Sequence, residues 1–179
     1  FDRFWNAERG CLFDLIDGPD AGSDPAPSTS SGQGLRPNQL FAVSLPHAPL
    51  DPKSDRARSV VDVCQRALLT PFGLRSLAPD HADFKPTYGG DRVTRDGAYH
   101  QGTAWGWLIG PFVEAHYKVY GDKEKALSFL APLADQMTEF GLGSLAEVYD
   151  GMPPHKPGGC IAQAWSVAEV LRAWKMLSG

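Results

Sequence analysis

The sequence predicts an all-α fold, and two patterns in it support this prediction. Apolar residues recur at the i, i+3, i+4 spacing of amphipathic helices along much of the chain. No segment convincingly alternates apolar and polar residues in the way that a half-buried strand does. The 19 glycines and 15 prolines are too many for a simple bundle and indicate long connections between helices. We therefore expect layered helices with the long loops gathered at one rim.

The N-terminal part of the chain predicts two helical segments separated by a loop. Residues 1–10 have the pattern of a helix end, with Gly10 as its C-terminal stop. Residues 18–34 contain no large apolar side chain, so burial cannot offset the entropy of ordering them, and we expect a mobile loop. A short helix then starts at Pro37 and ends before Pro46.

The next segment predicts a longer helix followed by an extended connection. Ser54 is a suitable N-cap for this helix, whose apolar positions run from Ala57 to Leu68. Pro71 ends it. Residues 73–102 form a connection of the length that is usually either functional or disordered, and their aromatic and polar content favours a functional role.

The C-terminal half predicts further helices. Thr103 is placed to cap the first, in which Pro111 marks a kink or a later start, and Gly121 ends it. Asp122 caps the next helix, which Pro132 divides in two. After a loop comes a last helix, and its expected inward face comprises Ile161, Ala164, Trp165, Ala168 and Leu171.

The charge balance and the cysteines exclude several classes of partner. Lys and Arg number 17 and Asp and Glu 21, so no basic surface for nucleic acid or an anionic membrane is indicated. No apolar run approaches the ~20 residues needed to cross a bilayer. Cys11, Cys64 and Cys160 lack C-x-x-C spacing, so neither a disulfide framework nor a zinc site is predicted. We expect no metal and no cofactor, and a reducing compartment.

Glu147 is the leading candidate for a residue that transfers protons. It lies between apolar neighbours just before Tyr149, Asp150 and Gly151, and an acid in partly apolar surroundings suits general base catalysis near neutral pH. The alternative is a solvated loop acid, since structural carboxylates greatly outnumber catalytic ones.

A turn near the N-terminus carries groups suited to a polyol. Arg36, Asn38 and Gln39 follow one another around Pro37. Forked guanidinium donors and the paired donors and acceptors of amides match vicinal sugar hydroxyls. Helix capping with one surface charge explains the same residues equally well.

A second segment, residues 95–107, combines three aromatic residues with short polar side chains. Aromatic faces accept the C–H faces of pyranose rings, while the polar groups bind hydroxyls. Trp105 and Trp107 point in different directions, so one of them is also expected in the core. The polar members of this segment are Asp96, His100, Gln101 and Thr103.

Blocks of sequence along nearly the whole chain resemble the amylo-α-1,6-glucosidase family, the C-terminal glucosidase domain of glycogen debranching enzymes. The blocks are Leu-Arg-Pro-Asn-Gln-Leu at 35–40, Leu-Thr-Pro-Phe-Gly-Leu-Arg-Ser-Leu at 69–77, Tyr-Gly-Gly-Asp at 88–91, Tyr-His-Gln-Gly-Thr-Ala-Trp at 99–105 and Gly-Gly-Cys-Ile-Ala-Gln-Ala-Trp-Ser at 158–166. Their order and spacing make the resemblance specific. The sequence departs from the family at Gly106, where proline is usual, and at the insertion 18–34.

The resemblance implies a fold, a reaction and a location. The fold would be an (α/α)6 toroid, with residues 1–179 as the C-terminal half or so of one domain. The reaction would be hydrolysis of α-1,6-linked glucose branch stubs of glycogen limit dextrin by two carboxylates with inversion. Glu147 matches the family's general base, and the general acid is expected upstream of Phe1, so the chain alone should be nearly inactive. The resemblance also implies a cytoplasmic protein.

The resemblance further implies glycogen or limit-dextrin oligosaccharide as the partner, and self-association of the exposed half-toroid. The expected sugar-contacting residues are Arg36, Asn38, Gln39, Asp91, Asp96, His100, Gln101 and Trp105. Two alternatives stay open. One is a non-catalytic helical module that binds glucan or scaffolds a partner, and the other is a related toroid glycosidase of the trehalase or glucoamylase type.

Overall fold

The computed structural model describes residues 1–16 and 34–179, which form helices and two small antiparallel sheets. The expected mobile loop at 18–34 lies outside the described residues except for Gly34. The α-helices are α1 Phe41–Ser44, α2 Asp55–Ala67, α3 Arg92–Ala98, α4 Ile109–Tyr120, α5 Lys123–Ser128, α6 Ala131–Gln136 and α7 Ala164–Ser178. Short 3₁₀ helices cover Asp2–Phe4, Pro37–Leu40 and Gly106–Leu108. The strands are β1 Trp5–Asn6, β2 Cys11–Leu12, β3 Leu69–Thr70, β4 Gly73–Arg75, β5 Ala104–Trp105, β6 Val148–Tyr149 and β7 Pro157–Gly158.

The prediction of an all-α fold, and of a half-toroid built only from helices, is wrong. Strands β3 to β7 form one antiparallel sheet in chain order, and β1 pairs with β2 in a separate hairpin. In the larger sheet Trp105 pairs with Leu74 on one side and Val148 on the other. The sheet could not be predicted, because its strands are two or three residues long and an alternating pattern needs a longer segment to be recognised.

The predicted helix boundaries of the central region are confirmed where a capping residue defines them. Ser54 Oγ accepts a hydrogen bond from the Ala57 amide at 3.2 Å and so caps α2. The Asp122 side chain caps α5 in the same way. Gly121 ends α4 in the left-handed conformation, with φ of 69°. Pro132 lies in the first turn of α6, as the predicted break requires.

Other predicted elements are wrong. The segment predicted as a helix end forms a 3₁₀ turn and the β1–β2 hairpin, in which Gly10 occupies the connecting turn with φ of 61°. Thr103 does not cap a helix, because its hydroxyl donates to the Ala98 carbonyl oxygen at 2.8 Å and β5 follows. Helix α3, within the predicted long connection, was not predicted; Asp91 is its N-cap.

The inward face predicted for the last helix is also wrong. Ile161 precedes α7 and is 57% exposed, while Trp165 and Leu171 are 45% and 57% exposed. The buried residues of α7 are Ser166, Ala173 and Leu177. The apolar pattern was real, but most of this face is not covered by the described residues. Self-association therefore stays a prediction. No described helix is both long and apolar enough to cross a membrane.

Helix α4 lies at the centre of the core and contacts α1, α2, α5 and α7. Its side chains Ile109, Phe112 and Val113 are wholly buried. The Phe112 ring meets the Phe129 ring edge-on, with centroids 5.1 Å apart. Helix α4 thus links the N-terminal helices to the C-terminal one.

We expect Phe112→Ala to lower the free energy of unfolding by about 3–5 kcal/mol, because it leaves a cavity in this core. Urea denaturation followed by circular dichroism measures the change. Val93→Ala is the control, since Val93 is 81% exposed. Equal stability of the two variants would contradict the central position of α4.

Candidate functional site

Glu147 lies immediately before β6, where backbone bonds hold it between two neighbouring segments. Its carbonyl oxygen accepts a hydrogen bond from the Gly106 amide at 3.3 Å. Its own amide donates to the Cys160 carbonyl oxygen at 3.0 Å. The sheet thus brings β5 next to β6 and β7, although β5 lies some forty residues before them in sequence.

Both oxygens of the half-buried Glu147 carboxylate have a donor. The Tyr99 hydroxyl donates to Oε1, and the Cys160 amide donates to Oε2 at 2.8 Å. A carboxylate has about four lone-pair positions, so these bonds orient the group and leave acceptor capacity for a water or a hydroxyl. The carboxylate is therefore held in one orientation without being saturated.

Gly159 lets the chain pass close to this carboxylate. Its φ is 69°, and a Cβ at this position would lie 2.5 Å from Glu147 Oε2 and 3.0 Å from Glu147 Cβ. No other residue fits there without moving the acid, because any side chain begins with that Cβ. The Cys160 amide reaches Oε2 from the next position of the chain.

Tyr99 follows α3 and is held on two sides. Its carbonyl oxygen accepts a hydrogen bond from Trp105 Nε1 at 3.0 Å, and the two rings lie 4.5 Å apart. The Tyr88 ring lies 5.5 Å from it on another side. Burial, together with the bond to Glu147, raises the pKa of the Tyr99 hydroxyl, which therefore stays protonated and a donor at neutral pH.

Next to this group lies a cavity of about 320 Å³, at the lower end of the ~300–1,000 Å³ range of ligand sites. Glu147 is not among the described residues that line this cavity. Tyr99 connects Glu147 with the cavity wall, because its hydroxyl donates to Glu147 and its ring packs on Trp105, which lines the cavity. The lining comprises Arg36, Pro37, Asn38, Ser76, His100, Trp105, Trp107, Leu108 and Trp165.

Aromatic rings form much of the cavity wall. Trp107 and Trp165 stack with centroids 5.4 Å apart, and Trp165 meets Trp105 edge-on at 5.8 Å. The His100 ring is parallel to Trp105 at 5.3 Å. Burial, and the nearby Arg36 charge, lower the pKa of His100, so its ring is neutral at pH 7.

Arg36 ties together several loops at the polar side of the cavity. One guanidinium nitrogen donates to the carbonyl oxygens of Ser76 at 2.9 Å and His100 at 2.7 Å. The other donates to Gln101 Oε1 at 2.9 Å. Its Nε lies 3.8 Å from Asp14 Oδ2. Arg36 therefore both lines the cavity and positions the 100–101 turn.

The structure brings four of the predicted sugar-contacting residues to the cavity: Arg36, Asn38, His100 and Trp105. Asn38 also donates to Asp14 Oδ1 at 2.9 Å. Gln101 stands behind them as the acceptor of Arg36.

The remaining predicted contacts lie elsewhere. Gln39 is buried, where it donates to the Arg36 carbonyl oxygen and accepts from the Leu12 amide. Asp91 caps α3 through the Thr94 amide at 2.8 Å, and this bond lowers its pKa. Asp96 forms ion pairs with Arg92 and Arg95 on the exposed surface of α3.

Sequence reasoning missed Tyr99 as a partner of Glu147, and it missed Trp165 as part of the aromatic wall. Tyr99 carried a usable signal, because it belongs to the same block as His100 and Trp105. Trp165 carried a misleading one, since its helical spacing favoured the core. The described residues contain no group of His, Cys, Asp and Glu side chains arranged to hold a metal ion.

We expect Gly159→Ala to destabilise the protein by about 1–3 kcal/mol more than Gly143→Ala, measured by urea denaturation. Both glycines have positive φ, 69° and 88°, so both substitutions strain the backbone. Only a Cβ at Gly159 would collide with the Glu147 carboxylate, whereas a Cβ at Gly143 meets nothing within 4 Å. Equal losses would contradict the close approach described for Gly159.

Comparison with known proteins shows which family and which relative this chain is similar to. A family model described as amylo-alpha-1,6-glucosidase matches residues 1–172. The glycogen debranching enzyme of Saccharomyces cerevisiae is 32% identical over 111 residues, which cover 54% of this chain. The matched segment spans 7% of the length of that yeast protein.

Proposed function

The chain belongs to the amylo-alpha-1,6-glucosidase family, and we propose that it supplies the general base and part of the sugar-binding surface of a glycogen-debranching glucosidase. The proposed substrate is the α-1,6-linked glucose stub on a glycogen limit dextrin. The observation that carries the proposal is Glu147, held by Tyr99 and the Cys160 amide beside an aromatic-walled cavity.

The proposed chemistry is hydrolysis with inversion at the anomeric carbon. A base carboxylate takes a proton from water as the water attacks, and an acid ~6.5–9.5 Å away protonates the leaving oxygen. Glu147 would be the base, with Tyr99 and the Cys160 amide orienting its oxygens. The general acid would come from outside this chain, so the chain alone is expected to be nearly inactive.

The proposed sugar contacts are Arg36, Asn38, His100 and Trp105, which line the cavity. Indoles and a neutral imidazole offer flat faces, and the amide and guanidinium offer donors for hydroxyls. Gln101 would act through Arg36, whose orientation it supports.

A second candidate function is glucan binding without catalysis. Two observations favour it: Glu147 does not line the cavity in the described part of the chain, and each of its oxygens already accepts a hydrogen bond. In that case Glu147 would hold Tyr99 and the chain after β7 in place. One substitution distinguishes the two functions.

We expect Glu147→Gln in the complete enzyme that carries this chain to reduce glucose release from limit dextrin by ~10²–10⁴-fold, because the amide cannot accept the proton from water. Release is measured enzymatically as free glucose. Glu139→Gln is the control, since Glu139 is an exposed acid on the turn after α6. Unchanged release by Glu147→Gln would leave only the binding function.

We expect Tyr99→Phe in the complete enzyme to lower kcat for glucose release from limit dextrin by about 10- to 100-fold, because the change removes one of the two donors that orient the Glu147 carboxylate. Glucose release at saturating limit dextrin measures the change. Tyr88→Phe is the matched control, because its ring packs on Tyr99 and its hydroxyl is not bonded to Glu147 among the described contacts. An unchanged kcat in Tyr99→Phe would contradict this role.

A further inference from the structure

The side chain of Trp165 is large and apolar, yet almost half of it is exposed. It lies in the first turn of α7, is 45% exposed and stacks on Trp107 at the edge of the cavity. The Trp107 ring in turn stacks on Phe41, with centroids 6.1 Å apart. Trp165 is thus the most exposed ring of a supported aromatic stack, and it lines the cavity.

The polar groups of the cavity select the class of ligand. Arg36 already donates to the carbonyl oxygens of Ser76 and His100 and to Gln101, and it lies near the Asp14 carboxylate. Its charge is therefore largely satisfied and offers little to an anion. The lining residues in the described part of the chain include no carboxylate that would attract a cation. Flat aromatic faces beside neutral donors and acceptors match a neutral polyol such as a glucosyl ring.

The cavity is also separate from Glu147. The hydroxyl of Tyr99 binds the carboxylate, whereas its ring packs on Trp105, which lines the cavity. A ring bound against Trp165 would thus occupy a cavity whose described lining does not include the acid. A sugar in this position could belong to the substrate without being the unit whose bond is broken.

We propose that this cavity binds a glucosyl residue of the retained glucan chain, and not the glucose that is released, with Trp165 as its stacking platform. The inference rests on the proposed function for its ligand class. Trp165 would then determine preference for a polymeric substrate.

The first test is isothermal titration calorimetry of the 179-residue chain with maltotetraose. We expect saturable binding that Trp165→Ala weakens about tenfold and that Trp165→Phe largely restores, because a phenyl ring keeps a flat face. Thermal melts show whether each variant is folded. Absence of saturable binding by the unchanged chain would overturn the proposal.

Trp174→Ala is the matched control, because Trp174 is an exposed tryptophan of the same helix, 55% exposed, that does not line the cavity. It should bind maltotetraose as the unchanged chain does. A loss in Trp174→Ala equal to that in Trp165→Ala would overturn the proposed site.

The second test separates this inference from the proposed function. In the complete enzyme, Trp165→Ala should lower kcat/KM about tenfold more for limit dextrin than for α-glucosyl fluoride, which carries a single sugar. Equal losses on both substrates would assign the cavity to the released glucose and overturn the inference. The proposed function itself fails only if Glu147→Gln leaves glucose release unchanged.

Discussion

The pairing of β5 with β6 is the constraint on which the candidate site depends. Trp105 and Val148 face each other across this pair, and the Gly106 amide binds the Glu147 carbonyl oxygen just beyond it. This short pairing therefore places the aromatic wall next to the carboxylate, although Trp105 and Glu147 are some forty residues apart in sequence. The 3₁₀ turn Gly106–Leu108, which follows β5 directly, packs against both α4 and α7.

The parts of the fold that could be predicted are those that a local signal encodes. Ser54, Asp122 and Gly121 mark helix ends through contacts within a few residues, so single positions were sufficient. The sheet could not be predicted, because its order depends on contacts between distant segments and its strands are too short for a periodic pattern. The exposure of the apolar face of α7 could not be predicted for a related reason. Apolar spacing shows that a helix has such a face, but it does not show which segment covers it.

The candidate site likewise contains residues that the sequence could identify and residues that it could not. Glu147 and the residues at 36, 38, 100 and 105 were identified because their chemistry is visible in the sequence, and their role is still a proposal. Asp91 and Asp96 also carry groups that could bind sugar hydroxyls. Asp91 instead caps α3, and Asp96 pairs with arginines on the surface of that helix. Tyr99 and Trp165 became candidates only when tertiary packing showed their neighbours.

The contact between Cys160 and the candidate base is made by the backbone of Cys160, and its thiol takes no part in it. The exposed sulfur lies 3.4 Å from the carbonyl oxygen of Ala162, directed away from the acid's acceptor. Every amino acid except proline carries this N–H group, so the contact with the carboxylate does not depend on which side chain stands at position 160. One of the two donors that orient the candidate base is thus supplied by the backbone alone.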